Sequence, residues 1–457
     1  MINSLSCLGF RSFARKESLQ LATPSGAPGS GLTVLVGPNG GGKSTLVECF
    51  NKIALAKRGA SFSKGKRNLA AGDRVEIEID YDGGHGILKT IGGGSETTWT
   101  GNSEPPKIYY LPSRRFFNPY FGNARLNRDD LLRSPVNYQQ RTTSIDNITY
   151  RLIDLNAGDP SRFNKMISRV LGHDLSWTID QEDNGQYIVN ITNSNGLHHN
   201  SDGLGEGVVS LMFIVDALCG NDDELIVIDE PELSLHPQLQ VRLMRELLEK
   251  TRAAQVVIST HSPNMLSLES IVNGGTVARI FESGGGTKIC MIDDESRDFI
   301  RSVSHNLNNP HVLGTDARAC FFAEDGLIIT EGQEDVMLYP VVIDQLRVGF
   351  TIPFFGFGAG GASEIVRIAH LLKVLGFKKV GAIYDGDKKD EYRMFNKIYA
   401  DEGFRAWIIP ADDVRDKDRY EAKAKEGLLE KDRRTIKVGY EEPLNVMFKE
   451  MDVFLRA

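Results

Sequence analysis

Apolar and polar positions alternate through residues 4–21 without a long helical period, which predicts early strands leading to the apolar run Leu32-Thr33-Val34-Leu35-Val36. That run enters a glycine-rich loop, and a helix is expected from about Lys43. Stretches rich in Gly, Lys and Ser at 57–72 and 92–101 predict exposed loops around a short strand over 75–81. Residues 129–171 read as mostly helical, with no heptad pattern of coiled-coil length and no internal repeat. The glycine cluster in 282–286 lies between alternating segments, so a hairpin turn is expected there. Residues 306–315, polar and punctuated by Pro310 and Gly314, predict a domain break, giving one domain over 1–310 and a second over 316–457. In the second, apolar runs at 326–330, 351–355, 380–384 and 406–409 alternate with helical patterns at 334–346, 363–375 and 390–402. That alternation predicts a small parallel α/β sheet.

The 457 residues, 41% hydrophobic and 25% charged, are enough for two or three domains of an ordinary soluble kind. A net charge of -8 excludes a global pull toward DNA or an anionic membrane, so any nucleic-acid surface must be a local patch. The five cysteines are scattered without a CxxC pair, which predicts reduced thiols and neither a disulfide framework nor a structural zinc. The first residues do not read as a signal peptide, and the best apolar run, 211–219, is interrupted by Asp216. A cytoplasmic protein with no membrane partner is expected.

Two sets of residues carry chemistry. Gly37-Pro38-Asn39-Gly40-Gly41-Gly42-Lys43-Ser44 fits G-x-x-x-x-G-K-[ST], with a strand before it and a helix after it. Gly37, Asn39, Gly40 and Gly42 let backbone N–H groups wrap phosphates, Lys43 adds a point charge, Ser44 offers a hydroxyl to Mg²⁺, and Thr45, next at the helix start, is also expected to bind the nucleotide. The later strand Leu225-Ile226-Val227-Ile228 delivers Asp229, expected to hold magnesium through water, and Glu230, expected to polarise the attacking water. Alone, an Asp-Glu pair at a strand end is more often a solvated surface feature. ATP with Mg²⁺ is the cofactor these residues predict. Ser201-Asp202-Gly203-Leu204-Gly205-Glu206-Gly207 precedes an apolar helix, placing a hydroxyl and bare donors at its N-terminus. Pro231 to Pro237 follow the carboxylates, and Ser259-Thr260-His261-Ser262-Pro263 ends the next strand.

The second set is acidic. The run Leu327-Ile328-Ile329-Thr330 delivers Glu331 at its end, and Asp335 follows four residues on, where the next helix begins. Ala382-Ile383-Tyr384 delivers Asp385-Gly386-Asp387, whose carboxylates are expected to share a side by strand alternation. Hard oxygen ligands at strand ends suit Mg²⁺ or Mn²⁺, which can activate water in phosphodiester cleavage. Asp-Gly-Asp alone is more often a surface turn; its pairing with Glu331 and Asp335 favours a metal site.

The order of the first set resembles the ABC-type ATPase heads of the RecF and SMC group. That resemblance implies a head-to-head dimer in which Ser201, Gly203 and Gly205 of one subunit cap ATP held by the other, with His261 as the switch histidine. The glutamine of the lid loop is open between Gln139 and Gln140, while Arg114 and Arg115 occupy about its expected place and face either phosphates or solvent. Glu-Gly-x-x-Asp followed by Asp-x-Asp resembles a TOPRIM domain, which implies Glu331 as general acid/base and the aspartates as metal ligands. A head followed by TOPRIM, with Phe321-Phe322-Ala323-Glu324 before the acidic strand, is similar to the OLD family of ATP-dependent endonucleases. The fold class expected is therefore α/β, an ABC-type P-loop ATPase domain followed by a smaller TOPRIM domain with a parallel sheet. The resemblance implies cutting or nicking of DNA, with RNA also open, in defence against bacteriophage, by a homodimer or higher oligomer beside another defence component. The family's C-terminal lysine is open among Lys417, Lys423, Lys425 and Lys437, in a stretch that also reads as a solvated helix. The alternative is an ATP-driven DNA-binding clamp or repair factor without nuclease activity.

Overall fold

The computed structural model describes residues 1–92, 94–101, 104–113, 159–181, 187–192, 198–200, 205–220, 225–304, 313–324, 326–350, 352–417 and 424–456. The candidates Arg114, Arg115, Gln139, Gln140, Ser201, Gly203 and Lys423 lie outside them, as does most of the expected break at 306–315.

The N-terminal half is built on two sheets. Strands β1 (Ile2–Leu8), β2 (Glu17–Gln20), β4 (Glu76–Tyr81), β5 (Gly84–Thr90) and β6 (Thr97–Gly101) form an antiparallel sheet in the order β2-β1-β4-β5-β6. The expected loop at 92–101 thus ends in a strand, because Thr97 to Gly101 find a ready edge on β5. The second sheet contains β3 (Leu32–Val36), β7 (Ile108–Leu111), β11 (Leu225–Asp229), β12 (Val256–Ser259), β13 (Thr276–Ser283) and β14 (Gly286–Met291), in the order β14-β13-β3-β12-β11-β7. All neighbours run parallel except the hairpin β13-β14, which turns at the glycines as expected. A three-stranded antiparallel sheet, β8 (Ser176–Gln181), β9 (Tyr187–Thr192) and β10 (His198–Asn200), stands apart from both.

Both faces of the six-stranded sheet are covered, which is why its strands read as unbroken apolar runs. On one face Leu35, Leu225, Val227, Val257 and Ile280 pack with Leu46, Val47, Phe50 and Ile53 of helix α1 (Lys43–Ala54) and with the antiparallel sheet beyond. On the other, Val34, Ile226, Ile228 and Ile258 meet α2 (Ser161–Leu171), α3 (Glu206–Cys219) and α4 (Pro237–Lys250). Part of the segment expected to be helical is therefore the helix α2. Two further helices, α5 (Leu268–Val272) and α6 (Asp294–Ser304), lead toward the second half.

After α7 (Thr315–Ala319), strands β15 (Leu327–Ile329), β16 (Val380–Tyr384) and β17 (Phe404–Ile408) form a parallel sheet. The strand expected at 351–355 shrinks to one parallel bridge between Phe354 and Ile328. Helices α8 (Gln333–Leu346), α9 (Ala362–Val374), α10 (Lys389–Ile398) and α11 (Glu441–Arg456) surround the sheet. A short parallel pair, β18 (Asp413–Arg415) with β19 (Gly427–Leu429), replaces the alternative of a solvated helix after Arg415. Among the described residues no helix is long and apolar enough to cross a membrane. The five cysteines are free thiols.

Arg279 of β13 ties the halves together. Only 2% exposed, its guanidinium lies 3.9 Å from the Phe377 ring centroid and 4.6 Å from that of Phe281. It donates to Leu375 O at 3.3 Å and Ala323 O at 3.0 Å. Gly376 sits so close to β13 and β14 that a Cβ there would come within 2.6 Å of Phe281 and 2.7 Å of Cys290 Sγ.

Candidate functional site

The phosphate loop occupies the carboxyl end of β3, where a parallel sheet leaves backbone groups unpaired. Gly37 (φ 129), Gly40 (φ 74) and Gly42 (φ 109) adopt conformations that L side chains rarely take. At Gly37 and Gly41 a Cβ would lie 2.2 and 2.4 Å from Ile280 O, so the loop is seated against β13. Lys43 Nζ donates to Gly37 O and Pro38 O, each at 2.9 Å. Burial lowers this ammonium to about 8, against the opposing charges of Glu230, Asp229 and Glu232. Ser44 is exposed at the helix start, Asn39 and Gly40 are exposed on the loop, and the Thr45 hydroxyl is turned to Arg11 at 3.3 Å.

Strands β11 and β12 are neighbours, and β12 lies beside β3, so their ends converge on this loop. Asp229 is 8% exposed, and its Oδ1 has no hydrogen-bond partner among the described residues. Burial pushes its carboxyl up to about 6, with Glu230 adding and the Ser259 hydroxyl, Lys43 and Ser44 opposing. Glu230 takes a left-handed backbone (φ 51), a conformation uncommon for a non-glycine residue and one that concentrates at functional sites. Its carboxylate is 3.9 Å from His261 Nε2 and 3.5 Å from Ser113 Oγ. The His261 N–H donates to Glu232 Oε1 at 2.6 Å, which holds the histidine beside Glu230. Gly205 is the N-cap of α3 and lies open, while a Cβ at Gly207 would reach 2.4 Å from Ser234 O. Sequence reading missed Ser113 and Arg11, because neither stands in a recognisable motif.

The acidic residues gather at the carboxyl ends of β15 and β16, along a cleft of about 570 Å³. Glu331 Oε1 accepts the N–H of Asp385 at 2.9 Å, joining the two strand ends. Asp335 Oδ2 accepts the N–H of Gly332 at 2.8 Å and so caps α8. Asp385 and Asp387 do share a side, but through a turn rather than strand alternation, since β16 ends at Tyr384. Gly386 makes that turn possible: its N–H donates to Ala411 O at 2.8 Å, and a Cβ there would lie 2.2 Å from the same oxygen.

Of the candidate lysines among the described residues, Lys425 is the one placed among three of the aspartates. Its Nζ stands 3.1 Å from Asp387 Oδ2, 3.3 Å from Asp413 Oδ2 and 3.7 Å from Asp385 Oδ2. Lys417 meets Asp413 at 2.5 Å, whereas Lys437 pairs with Asp416 at 2.6 Å, outside the cleft lining. Burial would lower the Lys425 ammonium, but the contact with Asp387 and the charges of Asp385 and Asp413 outweigh it and raise it. Burial, then the charges of Asp335, Glu331 and Asp413, push Asp385 up to about 9; burial pushes Asp335 up to about 7 and raises Glu331. Asp413, 1% exposed, was missed, although an apolar run ending in Asp412-Asp413 is the signal that found Asp385.

Among the described residues, no group of three or more His, Cys, Asp and Glu side chains stands ready to hold a metal ion. The expected four-carboxylate cage is therefore not assembled, because Asp335 is turned to its cap and an ammonium lies among the aspartates. The donor chemistry still fits a hard cation. Asp385 is 5% exposed and its Oδ1 has no hydrogen-bond partner among the described residues, which leaves a buried acceptor to be satisfied.

The family described as "AAA domain, putative AbiEii toxin, Type IV TA system" matches residues 32–267. The Septu protein PtuA of Bacillus thuringiensis is 25% identical over 278 residues, spanning 53% of this chain and 68% of that protein. Among solved structures, the SMC head domain from Thermotoga maritima is 16% identical with a TM-score of 0.39, covering 64% of this chain and 99% of that one. The Smc head domain with an extended coiled coil bound to the C-terminal domain of ScpA, derived from Pyrococcus furiosus, is 12% identical with a TM-score of 0.41, covering 66% and 98%. The family match takes in the phosphate loop, Asp229, Glu230 and His261 and spans more than half of the chain, which thus belongs to this family of AAA-domain P-loop ATPases.

Proposed function

We propose that the protein is an ATP-controlled, divalent-metal-dependent nuclease acting on DNA, with its second half, about 316–457, a TOPRIM domain. The observation that carries this reading is the buried, unpartnered Asp385 Oδ1 beside Glu331, Asp335, Asp387 and Asp413. A buried acceptor without a donor costs stability unless a cation completes it. Glu331, Asp335, Asp385 and Asp387 would hold Mg²⁺ or Mn²⁺, which when bound supplies a Lewis acid for water activation and leaving-oxygen stabilisation. Glu331, whose carboxyl is raised by burial, is suited to act as general acid/base. Lys425 offers a fixed positive charge for a non-bridging phosphate oxygen.

On the nucleotide side, Lys43, Ser44 and Asp229 bind ATP and its magnesium, and Glu230 orients water with His261 beside it. The resemblance to ABC heads extends this to a homodimer in which Ser201, Gly203 and Gly205 cap the partner's nucleotide. Antiphage defence beside a second component is supported by the resemblance to the OLD family. It is also supported by membership in a family whose description includes a toxin and a toxin–antitoxin system.

The ammonium of Lys425 among the aspartates favours one second reading, an ATP-driven DNA clamp whose acidic cluster is a closed ion-pair network. Plasmid DNA incubated with the full chain in Mn²⁺, beside Asp385→Ala, separates the two. The nuclease reading expects nicking or linearisation lost in the variant. Cleavage by neither protein, with salt-sensitive binding by both, supports the clamp.

A further inference from the structure

We propose that the glycine loop after Phe355, with the N-terminus of α9, is a subsite that holds one backbone phosphate of a nucleic acid beside the acidic residues. The inference deepens the nuclease reading and rests on it.

The loop Gly356-Phe357-Gly358-Ala359-Gly360-Gly361 leads from the Phe354 bridge into α9. Gly358, Gly360 and Gly361 have φ of 88, 82 and 136, and a Cβ at Gly358 would collide with Gly332 at 2.6 Å. The loop is clipped to the acidic strand. Gly360 and Gly361 both donate N–H to Glu331 O at 2.9 Å, and Ala359 donates to Thr330 O at 2.8 Å. The next two N–H groups, of Ala362 and Ser363, open a helix of 13 residues and have no partner among the described residues; nor has the Ser363 hydroxyl. Such donors, at the positive end of a helix, favour an anion.

A helix end alone would say little. The second observation lies in the same cleft, where Asp385, 95% buried by its 5% exposure, keeps Oδ1 without a partner. One wall therefore presents unspent N–H and O–H donors, and the other an unspent buried acceptor. A cation bound to the acceptor and a phosphate bound to both satisfies the two walls together. Phe357 lines the same cleft and offers an aromatic face to a neighbouring base or sugar, which favours a polynucleotide over free phosphate.

The test uses the full chain and a fluorescein-labelled single-stranded DNA oligonucleotide, with binding read by anisotropy in Ca²⁺ and cutting in Mn²⁺. Ser363 is exposed, and Ser363→Asp places a carboxylate where helices favour one, so the melting temperature should hold or rise. The same carboxylate repels a phosphate: oligonucleotide affinity should fall about tenfold or more and KM rise in parallel, whereas Ser363→Ala should cost less than about threefold. Equal affinity of Ser363→Asp and the natural chain, including no binding by either, overturns the subsite. Loss of competition by millimolar inorganic phosphate with unchanged oligonucleotide affinity reassigns it to free phosphate and overturns the polynucleotide form. Retained discrimination in binding with no cutting by the natural chain refutes the nuclease reading alone.

Discussion

The phosphate loop and the acidic cleft are built on one plan and balanced in opposite ways. Each lies at the carboxyl ends of adjacent parallel strands, with a glycine turn that brings backbone close to backbone. At the loop, Lys43 faces Asp229, Glu230 and Glu232, and burial holds its charge down to about 8. In the cleft, Glu331, Glu334, Asp335, Asp385, Asp387 and Asp413 outnumber Lys388, Lys417 and Lys425, and Asp385 rises to about 9. In the first site desolvation outweighs the three carboxylates around one lysine, and the second is short of positive charge for its carboxylates. One is prepared for an anion, the other for a cation with an anion behind it.

The largest expected effect comes from breaking the cleft while sparing the loop. Asp385→Asn should reduce metal-dependent DNA cutting by about a thousandfold or more, with phosphate release from ATP changed less than about twofold. Cutting and ATP turnover are measured on the same preparation; cleavage that survives removes Asp385 from the mechanism. The converse experiment is Glu230→Gln, which should slow ATP hydrolysis by about a hundredfold or more while nucleotide still binds. Unchanged hydrolysis would mean that another group orients the water.

Arg279→Ala tests whether the two sites share one folded body. It removes donors to two carbonyls and the packing between Phe281 and Phe377, and should cost about 2–4 kcal/mol. Urea unfolding followed by fluorescence should then separate into two transitions. A single transition at the original midpoint would show that the joint contributes nothing.

The smallest effect is a pH slope in metal-free protein. Asp385 at about 9 and Asp335 at about 7 lie above their unfolded value of 3.8, so the folded chain binds more protons between those limits. Stability contributed by these neutral carboxyls is full below about pH 4 and is lost as pH rises through 7 and 9. Melting temperature should therefore fall from pH 5 to pH 9, and Asp385→Asn should flatten the slope. An equally steep fall in that variant would place the titrating group elsewhere.

How much could be read in advance follows the same contrast. The phosphate loop is contiguous, and its glycines, lysine and hydroxyl act where they stand in the chain, so eight residues announce it. The carboxylate after β16 was legible because an apolar run must end somewhere, and a strand end is where a polar group meets the cleft. Ser113 and Arg11 were not, since nothing near them in sequence marks their approach to Glu230 and Thr45. Lys425 stayed one of four because its place depends on the β18-β19 return, which a mixed-charge stretch does not reveal.

The sequence by itself determined the strands that lead into the phosphate loop and the acidic residues, the glycine turns and the residue types that can handle phosphate, because backbone sterics and hydrophobic period act locally. Only the tertiary structure decided that Lys425 stands among three aspartates and that Asp413 is one of them. Those outcomes depend on distances between segments far apart in the chain, and electrostatic balance in a buried cleft is set by such distances rather than by the order of residues.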